Sequence, residues 1–124
     1  MIVPDTSVLV EALSAGGAIR QEFRHAIASG HRIVVPSLVL YEWLRGPRVA
    51  AELEVQEAVL PSEDAIPFAA QEAGVAADLY RSVRRPRGRE IDLAIAACAI
   101  AWQGSLWTIN PGDFEDIPGL RLYG

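Results

Sequence analysis

Four acidic residues in this sequence lie at predicted strand ends, at a helix start or inside an otherwise apolar helix: Asp5, Glu42, Asp92 and Asp113. Several carboxylates placed side by side cannot all ionise without a cation, because like charges raise each other's pKa. Mg²⁺ and Mn²⁺ prefer oxygen ligands of this kind. One or two such ions can activate a water molecule and neutralise a leaving oxygen. If the four acids meet in the fold, they form a candidate site for metal-dependent phosphodiester hydrolysis.

Each acid also has a purely structural explanation. Asp5 can cap the helix that follows it, and the helix dipole favours Asp92 in a first turn. Glu42 can lie on a solvent-facing helix surface one turn before Arg45. Asp113 ends the sequence Asn-Pro-Gly-Asp, in which turn chemistry alone would account for it. Taken singly, the positions leave both interpretations open.

The elements that would position these acids are short apolar strands alternating with helices. Strands are predicted at 2–4, 33–35, 106–109 and 120–122. Helices are predicted at 8–13, 18–29, 38–45, 49–58, 69–84 and 91–103, the last apolar on nearly every face. We expect Gly16-Gly17 to break the first helix, Ser37 to cap the third and Gly104 to end the last. The alternation predicts an α/β domain with a mostly parallel sheet.

This arrangement brings two of the acidic positions to one edge of the sheet. In open α/β sheets, sites lie beyond the carboxyl ends of the strands. Asp5 follows the first predicted strand directly, and the turn at 110–113 follows a later one. We therefore expect both positions at the same edge.

Length, charge and cysteine content limit the possible classes of protein. The 124 residues correspond to one domain, 1–124. The single cysteine, Cys98, lies in an apolar run, so it is expected to be a small buried residue, and a chain without internal disulfides suits the cytoplasm. No apolar run reaches the roughly 18 residues of a membrane span. The formal charge of −5 argues weakly against a nucleic-acid partner.

All 11 basic residues are arginines, and five of them lie between positions 81 and 89. Arginine pairs well with phosphate, so Arg84, Arg85 and Arg87 are candidate phosphate contacts. A solvated helix end is an equally good explanation. The absence of lysine argues against receiver domains and haloacid-dehalogenase-like phosphatases, since both hold a phosphoryl group with a lysine. His25 and His31 have no acid, His or Cys at ligand spacing, and we expect them to be structural or exposed.

Four segments resemble, in order, the motifs of the PIN domain, and within it of the VapC-type toxin ribonucleases. They are VPDTS at 3–7, LYEWL at 40–44, IDLAIAA at 91–97, and a closing segment with TIN at 108–110, DF at 113–114 and PGL at 118–120. Each motif alone is weak, but the four occur in register over the whole chain. The resemblance implies a sheet of about four or five short parallel strands flanked by helices. It further implies a homodimer, a VapB-like antitoxin partner and Mg²⁺- or Mn²⁺-dependent cleavage of RNA.

The resemblance also assigns roles to individual residues. Asp5 and Asp92 would bind the metal, and Glu42 would complete the shell directly or through water. Asn110 and Asp113 both stand in the closing motif, and Asp113 is favoured as the fourth ligand for its charge.

Supporting polar residues complete the prediction. Thr6 or Ser7 would hydrogen-bond a ligand or the scissile phosphate, and the arginines at 84, 85 and 87 would contact RNA or an acidic antitoxin segment. The alternative is an inactive PIN-like module that only binds a partner. Such a module would be expected to lack at least one of the four acids.

Overall fold

The computed structural model describes residues 1–14 and 17–124. Its strands are β1 (Ile2–Pro4), β2 (Ser105–Trp107) and β3 (Arg121–Leu122). Its α-helices are α1 (Thr6–Leu13), α2 (Arg20–Ala28), α3 (Ser37–Leu44), α4 (Ala50–Val59), α5 (Ala70–Ser82) and α6 (Glu90–Ala101). Two short 3₁₀ helices lie at Ser62–Asp64 and Pro111–Asp113. No helix in these ranges is both long and apolar enough to cross a membrane.

The three strands form a parallel sheet in the order β1-β2-β3. Val3 pairs with Leu106, and Leu106 pairs in turn with Leu122. Beyond β1, isolated parallel bridges join Ile2 to Ile33 and Pro36 to Ile66. The parallel α/β architecture is confirmed, but with three regular strands it agrees only loosely with four or five.

Three local predictions were wrong. Residues 33–35 do not form a regular strand, because their pairing is confined to an isolated bridge between Ile33 and Ile2, with single backbone bonds from Val34 N–H to the Ile2 carbonyl and from Ile66 N–H to the Val35 carbonyl. Ser37 is the first residue of α3, and its cap Pro36 provides no side-chain hydrogen bond. Helix α6 ends at Ala101, and Gln103, not Gly104, adopts the left-handed backbone with φ of 58°. The predicted break at Gly16-Gly17 involves Gly16, which lies outside the described residues.

Gly104 is needed for a different reason, namely close approach of the backbone to β1. A Cβ at this position would lie 2.8 Å from Cγ2 of Val3. Gly104 N–H donates to the carbonyl of Ala99 at 2.8 Å, and Ser105 N–H donates to that of Met1 at 3.0 Å. The glycine thus lets the chain leave α6 and enter β2 directly beside β1.

Helix α6 forms the centre of the core, as its apolar composition predicted. Every residue from 93 to 99 is buried, including Cys98. Burial raises the pKa of the Cys98 thiol to about 12, and the negative charge of Glu72 adds to the effect. Because the first turn of α6 emerges from this core, the carboxylate of Asp92 is held on a rigid element.

Candidate active site

Asp5 lies where β1 ends and α1 begins, and it serves as the N-cap of α1. Its backbone N–H donates to the carbonyl of Trp107 at 2.9 Å, which ties it to the end of β2. Its Oδ1 accepts hydrogen bonds from Ser7 Oγ at 2.6 Å and Val8 N–H at 3.0 Å. In the described part of the chain, no donor reaches Oδ2. The capping role is therefore confined to one oxygen, and the other is available to a ligand.

Ser7 also links Asp5 to the segment after β2. The N–H of Ile109 donates to Ser7 Oγ at 3.4 Å, and Ser7 in turn donates to Asp5. The hydroxyl therefore fixes the orientation of the Asp5 carboxylate relative to the closing segment.

Glu42 projects from α3 toward the start of α1. Thr6 Oγ1 donates to its Oε1 at 2.5 Å, and Arg45 forms a weaker ion pair with its Oε2 at 3.3 Å. The side chain of Glu42 is 20% exposed, whereas that of Arg45 is 58% exposed. The pairing with Arg45 predicted from the sequence exists, but the close contact is with Thr6, across 36 residues.

Asp92 lies in the first turn of α6 and is half-buried. No donor among residues 1–14 and 17–124 hydrogen-bonds its carboxylate. Its pKa is raised, first by burial and then by the negative charges of Asp113, Asp5 and Glu42, while Arg89 opposes the rise. The other three predicted acids are thus close enough to disfavour ionisation of Asp92.

Asp113 lies on the 3₁₀ turn after β2, beside Asn110, and both residues are exposed. The buried side chain of Phe114 anchors this turn in the core. Within the described ranges, no donor hydrogen-bonds the Asp113 carboxylate.

All the predicted acids line one cavity of about 170 Å³. The complete lining is Asp5, Thr6, Ser7, Glu42, Asp92, Ile95, Asn110, Asp113 and Phe114. Four separate segments of the chain therefore converge at the edge of the sheet where β1 and β2 end. The structure brings together the four acids and all three supporting residues, Thr6, Ser7 and Asn110.

The carboxylate oxygens of this cavity fit a hard divalent cation. Such an ion would relieve the repulsion from Asp113, Asp5 and Glu42, which adds to the effect of burial in raising the pKa of Asp92. In the described ranges, no three acidic, histidine or cysteine side chains converge tightly enough to enclose an ion. The four carboxylates nevertheless line the same cavity. Asp5, Asp92, Glu42 and Asp113 are the residues that could hold a metal.

Sequence reasoning missed the ion pair between Arg89 and Asp116. Both terminal guanidinium nitrogens of Arg89 donate to the Asp116 carboxylate, Nη2 at 2.7 Å and Nη1 at 2.8 Å. Arg81 is likewise paired, with Asp78 on its own helix. A separation of 27 residues leaves no local signal for the Arg89 pair. The basic stretch therefore presents Arg84, Arg85 and Arg87, which are exposed.

The two histidines considered from the sequence lie outside the cavity, and so do the three tryptophans of the chain. His25 and His31 are exposed, and His31 packs edge-on against Tyr123. Trp43 and Trp107 are buried, and the indole N–H of Trp102 donates to Glu72 at 3.0 Å. These tryptophans therefore contribute to the core and its edges.

A family model described as PIN domain matches residues 2–119. The chain belongs to the PIN domain family. The match includes all four acids of the cavity, and proteins of this family are generally nucleases. The resemblance found in the four sequence motifs is thereby confirmed at the level of the family.

Solved structures show the same PIN fold over nearly the whole chain. VapBC2 from Rickettsia felis, bound to a DNA fragment from its promoter, is similar with a TM-score of 0.75 and 24% identity, covering 99% of this chain and 98% of that one. DNA-bound VapBC from Salmonella typhimurium gives a TM-score of 0.78 and 22% identity, covering 98% and 96%. FitAcB from Neisseria gonorrhoeae gives 0.73 and 19%, covering 100% and 97%. No curated protein sequence matches the chain significantly.

Proposed function

We propose that this PIN domain is a metal-dependent endoribonuclease and the toxin of a type II, VapBC-like toxin–antitoxin pair. One observation carries the proposal: acids from four separate segments line a single small cavity. In the described residues, no protein donor hydrogen-bonds the carboxylate of half-buried Asp92 or of exposed Asp113, which leaves their oxygens available to a cation. The proposed cofactor is Mg²⁺ or Mn²⁺.

The side chains that line the cavity have different roles in this proposal. Asp5 and Asp92 are the primary metal ligands, and Glu42 and Asp113 complete the site. A divalent ion bound there supplies Lewis-acid activation of water and neutralises charge on the phosphate. Thr6 holds the Glu42 carboxylate in place, and Ser7 does the same for Asp5.

Asp113, one of the two acids without a protein donor in the described residues, has a further role in the proposed reaction. An ionised Asp113 can accept a proton from the attacking water at a carboxylate oxygen, because no protein donor competes for that oxygen. The exposed amide of Asn110, at the rim of the cavity, can hydrogen-bond a phosphate oxygen of the RNA. Hydrolysis then needs no protein nucleophile.

Contact with RNA is assigned to the exposed arginines between α5 and α6. Arg84, Arg85 and Arg87 have no carboxylate partner in the described ranges, and the loop ends at the turn that carries Asp92. Guanidinium groups at this position can pair with phosphates on either side of the scissile bond. Contact with an acidic antitoxin segment is the alternative for the same side chains.

The partners are part of the same proposal. The structurally similar proteins are VapBC and FitAcB complexes, two of them bound to DNA. By analogy, this chain would form a homodimer in the cytoplasm and bind a VapB-like antitoxin. Growth arrest on expression of the chain alone, reversed by the antitoxin encoded beside it, would test the toxin role. Normal growth at verified expression would contradict it.

RNA cleavage by the purified protein tests the nuclease directly. We expect cleavage in Mg²⁺ or Mn²⁺, none in a chelator, and none with Asp92→Asn, which removes the charge of a proposed ligand at constant size. Asp78→Asn is the matched control, because Asp78 is an exposed aspartate on α5 whose carboxylate, among the described residues, pairs only with Arg81. Cleavage by a folded Asp92→Asn protein would refute the assignment. Metal binding without cleavage of any RNA would favour the inactive partner-binding module.

A further inference from the structure

The side chain of Arg89 joins two segments that carry acids of the cavity. Its two terminal nitrogens form a bidentate pair with Asp116, and Nη2 also donates to the carbonyl of Asp113 at 3.0 Å. A longer bond at 3.4 Å reaches the carbonyl of Arg85. The Arg89 side chain is 23% exposed, so water competes only in part for these bonds.

The backbone of Arg89 is fixed to the start of α6. Arg89 is the N-cap residue of this helix, and its carbonyl accepts the N–H of Leu93 at 2.9 Å. Its own N–H donates to the carbonyl of Pro86 at 2.9 Å. Arg89 therefore stands three residues before Asp92, on a backbone held from both directions.

Asp116, the partner of Arg89, is also close in sequence to a residue of the cavity. Asp116 follows Asp113 by three residues, and the carbonyl bond reaches Asp113 itself. Both Asp92 and Asp113 line the cavity, and their carboxylates repel each other. The Arg89 guanidinium binds the backbone carbonyls of Arg85 and Asp113, so it resists separation of Asp92 from Asp113. It does so without occupying a carboxylate oxygen of Asp92 or Asp113.

We propose that Arg89 is a positioning residue that clamps the Asp113 segment onto the N-terminus of α6 and thereby sets the metal affinity of the cavity. The inference rests on the proposed function, since it assumes that Asp92 and Asp113 bind the metal. Residues that orient metal ligands without touching the metal typically change affinity by about 10–100-fold when replaced.

The clamp can be distinguished from a simple charge effect, because the two predict opposite changes in metal affinity for Arg89→Gln. A positive charge near the carboxylates repels a cation, so on electrostatics alone Arg89→Gln would tighten metal binding. Loss of the clamp weakens it. Arg89→Lys keeps the charge and loses the bidentate fork, so electrostatics alone predicts no change and the clamp again predicts weaker binding.

The experiment measures Mn²⁺ affinity by calorimetry on the native chain, Arg89→Gln, Arg89→Lys and Asp116→Asn, with circular dichroism to verify folding. We expect each variant to bind Mn²⁺ about 10–100-fold more weakly, and Arg89→Lys combined with Asp116→Asn to be no worse than the weaker single variant. Arg81→Gln is the matched control, because it breaks an Arg–Asp pair that is exposed and on one helix. Its affinity should equal that of the native chain.

The outcomes separate the two proposals. If the native chain binds Mn²⁺ and Asp92→Asn does not, but folded Arg89→Gln binds as tightly as the native chain or more tightly, the clamp is overturned and the metal site stands. If Arg89→Gln does not fold, unchanged affinity of Arg89→Lys overturns it equally. If the native chain binds no Mn²⁺, the clamp and the proposed function both fail.

Discussion

Replacing Asp5 separates its structural role from its proposed chemical one. Its Oδ1 caps α1 through Val8 N–H and accepts the Ser7 hydroxyl, whereas no protein donor in the described ranges reaches Oδ2. Asn caps a helix about as well as Asp does, because its side-chain oxygen accepts the same bond. Asp5→Asn should therefore preserve the cap and remove the charge. Asp5→Ala should remove both.

The expected magnitudes follow from these contacts. Loss of an N-cap costs about 1 kcal/mol of unfolding free energy, within a range of roughly 0.5–2. In a domain of this length that lowers the melting temperature by about 3–5 °C. Asp5→Asn should stay within about 0.5 kcal/mol of the native chain, because its cap is equivalent. Both variants should lose cleavage by roughly 100-fold or more, since the metal ion supplies several kcal/mol of charge stabilisation in such reactions.

The assay combines thermal unfolding in a chelator with RNA cleavage in Mn²⁺, on the same protein samples. The chelator removes the contribution of bound metal to stability. The comparison of Asp5→Asn with Asp5→Ala then isolates the cap, because both variants remove the same charge. An Asp5→Asn protein that cleaves RNA at the native rate would refute the chemical role. If Asp5→Asn were destabilised as much as Asp5→Ala, the division of the two oxygens between cap and ligand would be wrong.

Two further predictions concern RNA contact and acid stability. Alanine at Arg84, Arg85 and Arg87 is introduced in the Asp92→Asn background, so that the RNA is not cleaved during the measurement. The triple change should reduce the slope of log affinity against log salt by about 2, because each phosphate contact on a single strand contributes about 0.7. Alanine at the exposed Arg24 and Arg32 should leave that slope unchanged, and an unchanged slope in the triple variant would contradict the assignment. Burial acts to raise the pKa of Glu72, but bonds from its own N–H, Trp102 Nε1 and Ala69 N–H outweigh it, and the pKa is lowered. A lowered folded-state pKa contributes stability that is present above the ordinary glutamate pKa and lost as the pH falls through the folded value. Ala69 N–H and Trp102 Nε1 donate to different carboxylate oxygens of Glu72, and an amide keeps only one of those acceptors. Glu72→Gln should therefore cost about 1–3 kcal/mol of unfolding free energy at pH 7, and the difference from the native chain should shrink in acid. Equal denaturant midpoints at pH 7 would contradict this.

The helices were the most predictable part of the fold. Periodicity and composition located all six to within a few residues, because an apolar helix face or a fully apolar helix such as α6 is written directly into the chain. Strands were less predictable, since segments of two or three residues carry little pattern. Residues 33–35 have the composition of a strand, but an isolated bridge to one residue of β1 is too little pairing to form a regular strand.

The convergence of the acids was predictable in part. Asp5 and the turn at 110–113 follow strands that are neighbours in a parallel sheet, so their common edge follows from the alternation of elements. Glu42 and Asp92 lie on helices, where spacing along the chain does not show which side of the sheet they reach. Their assignment came from the resemblance to the PIN domain, and the structure places them on the same cavity.

Composition and local order in the chain were enough to predict the α/β class, the buried central helix and the four acids whose types suit a divalent metal. The contacts that hold those acids arise only from the packing of the folded chain. Thr6 reaches Glu42 across 36 residues, and Arg89 reaches Asp116 across 27. Contacts between distant residues depend on how whole helices pack, and no local pattern in the chain specifies them. For the same reason, the sequence shows Arg89 only as one of five arginines in a basic stretch, whereas in the fold its guanidinium is bound to Asp116 beside the acids of the cavity.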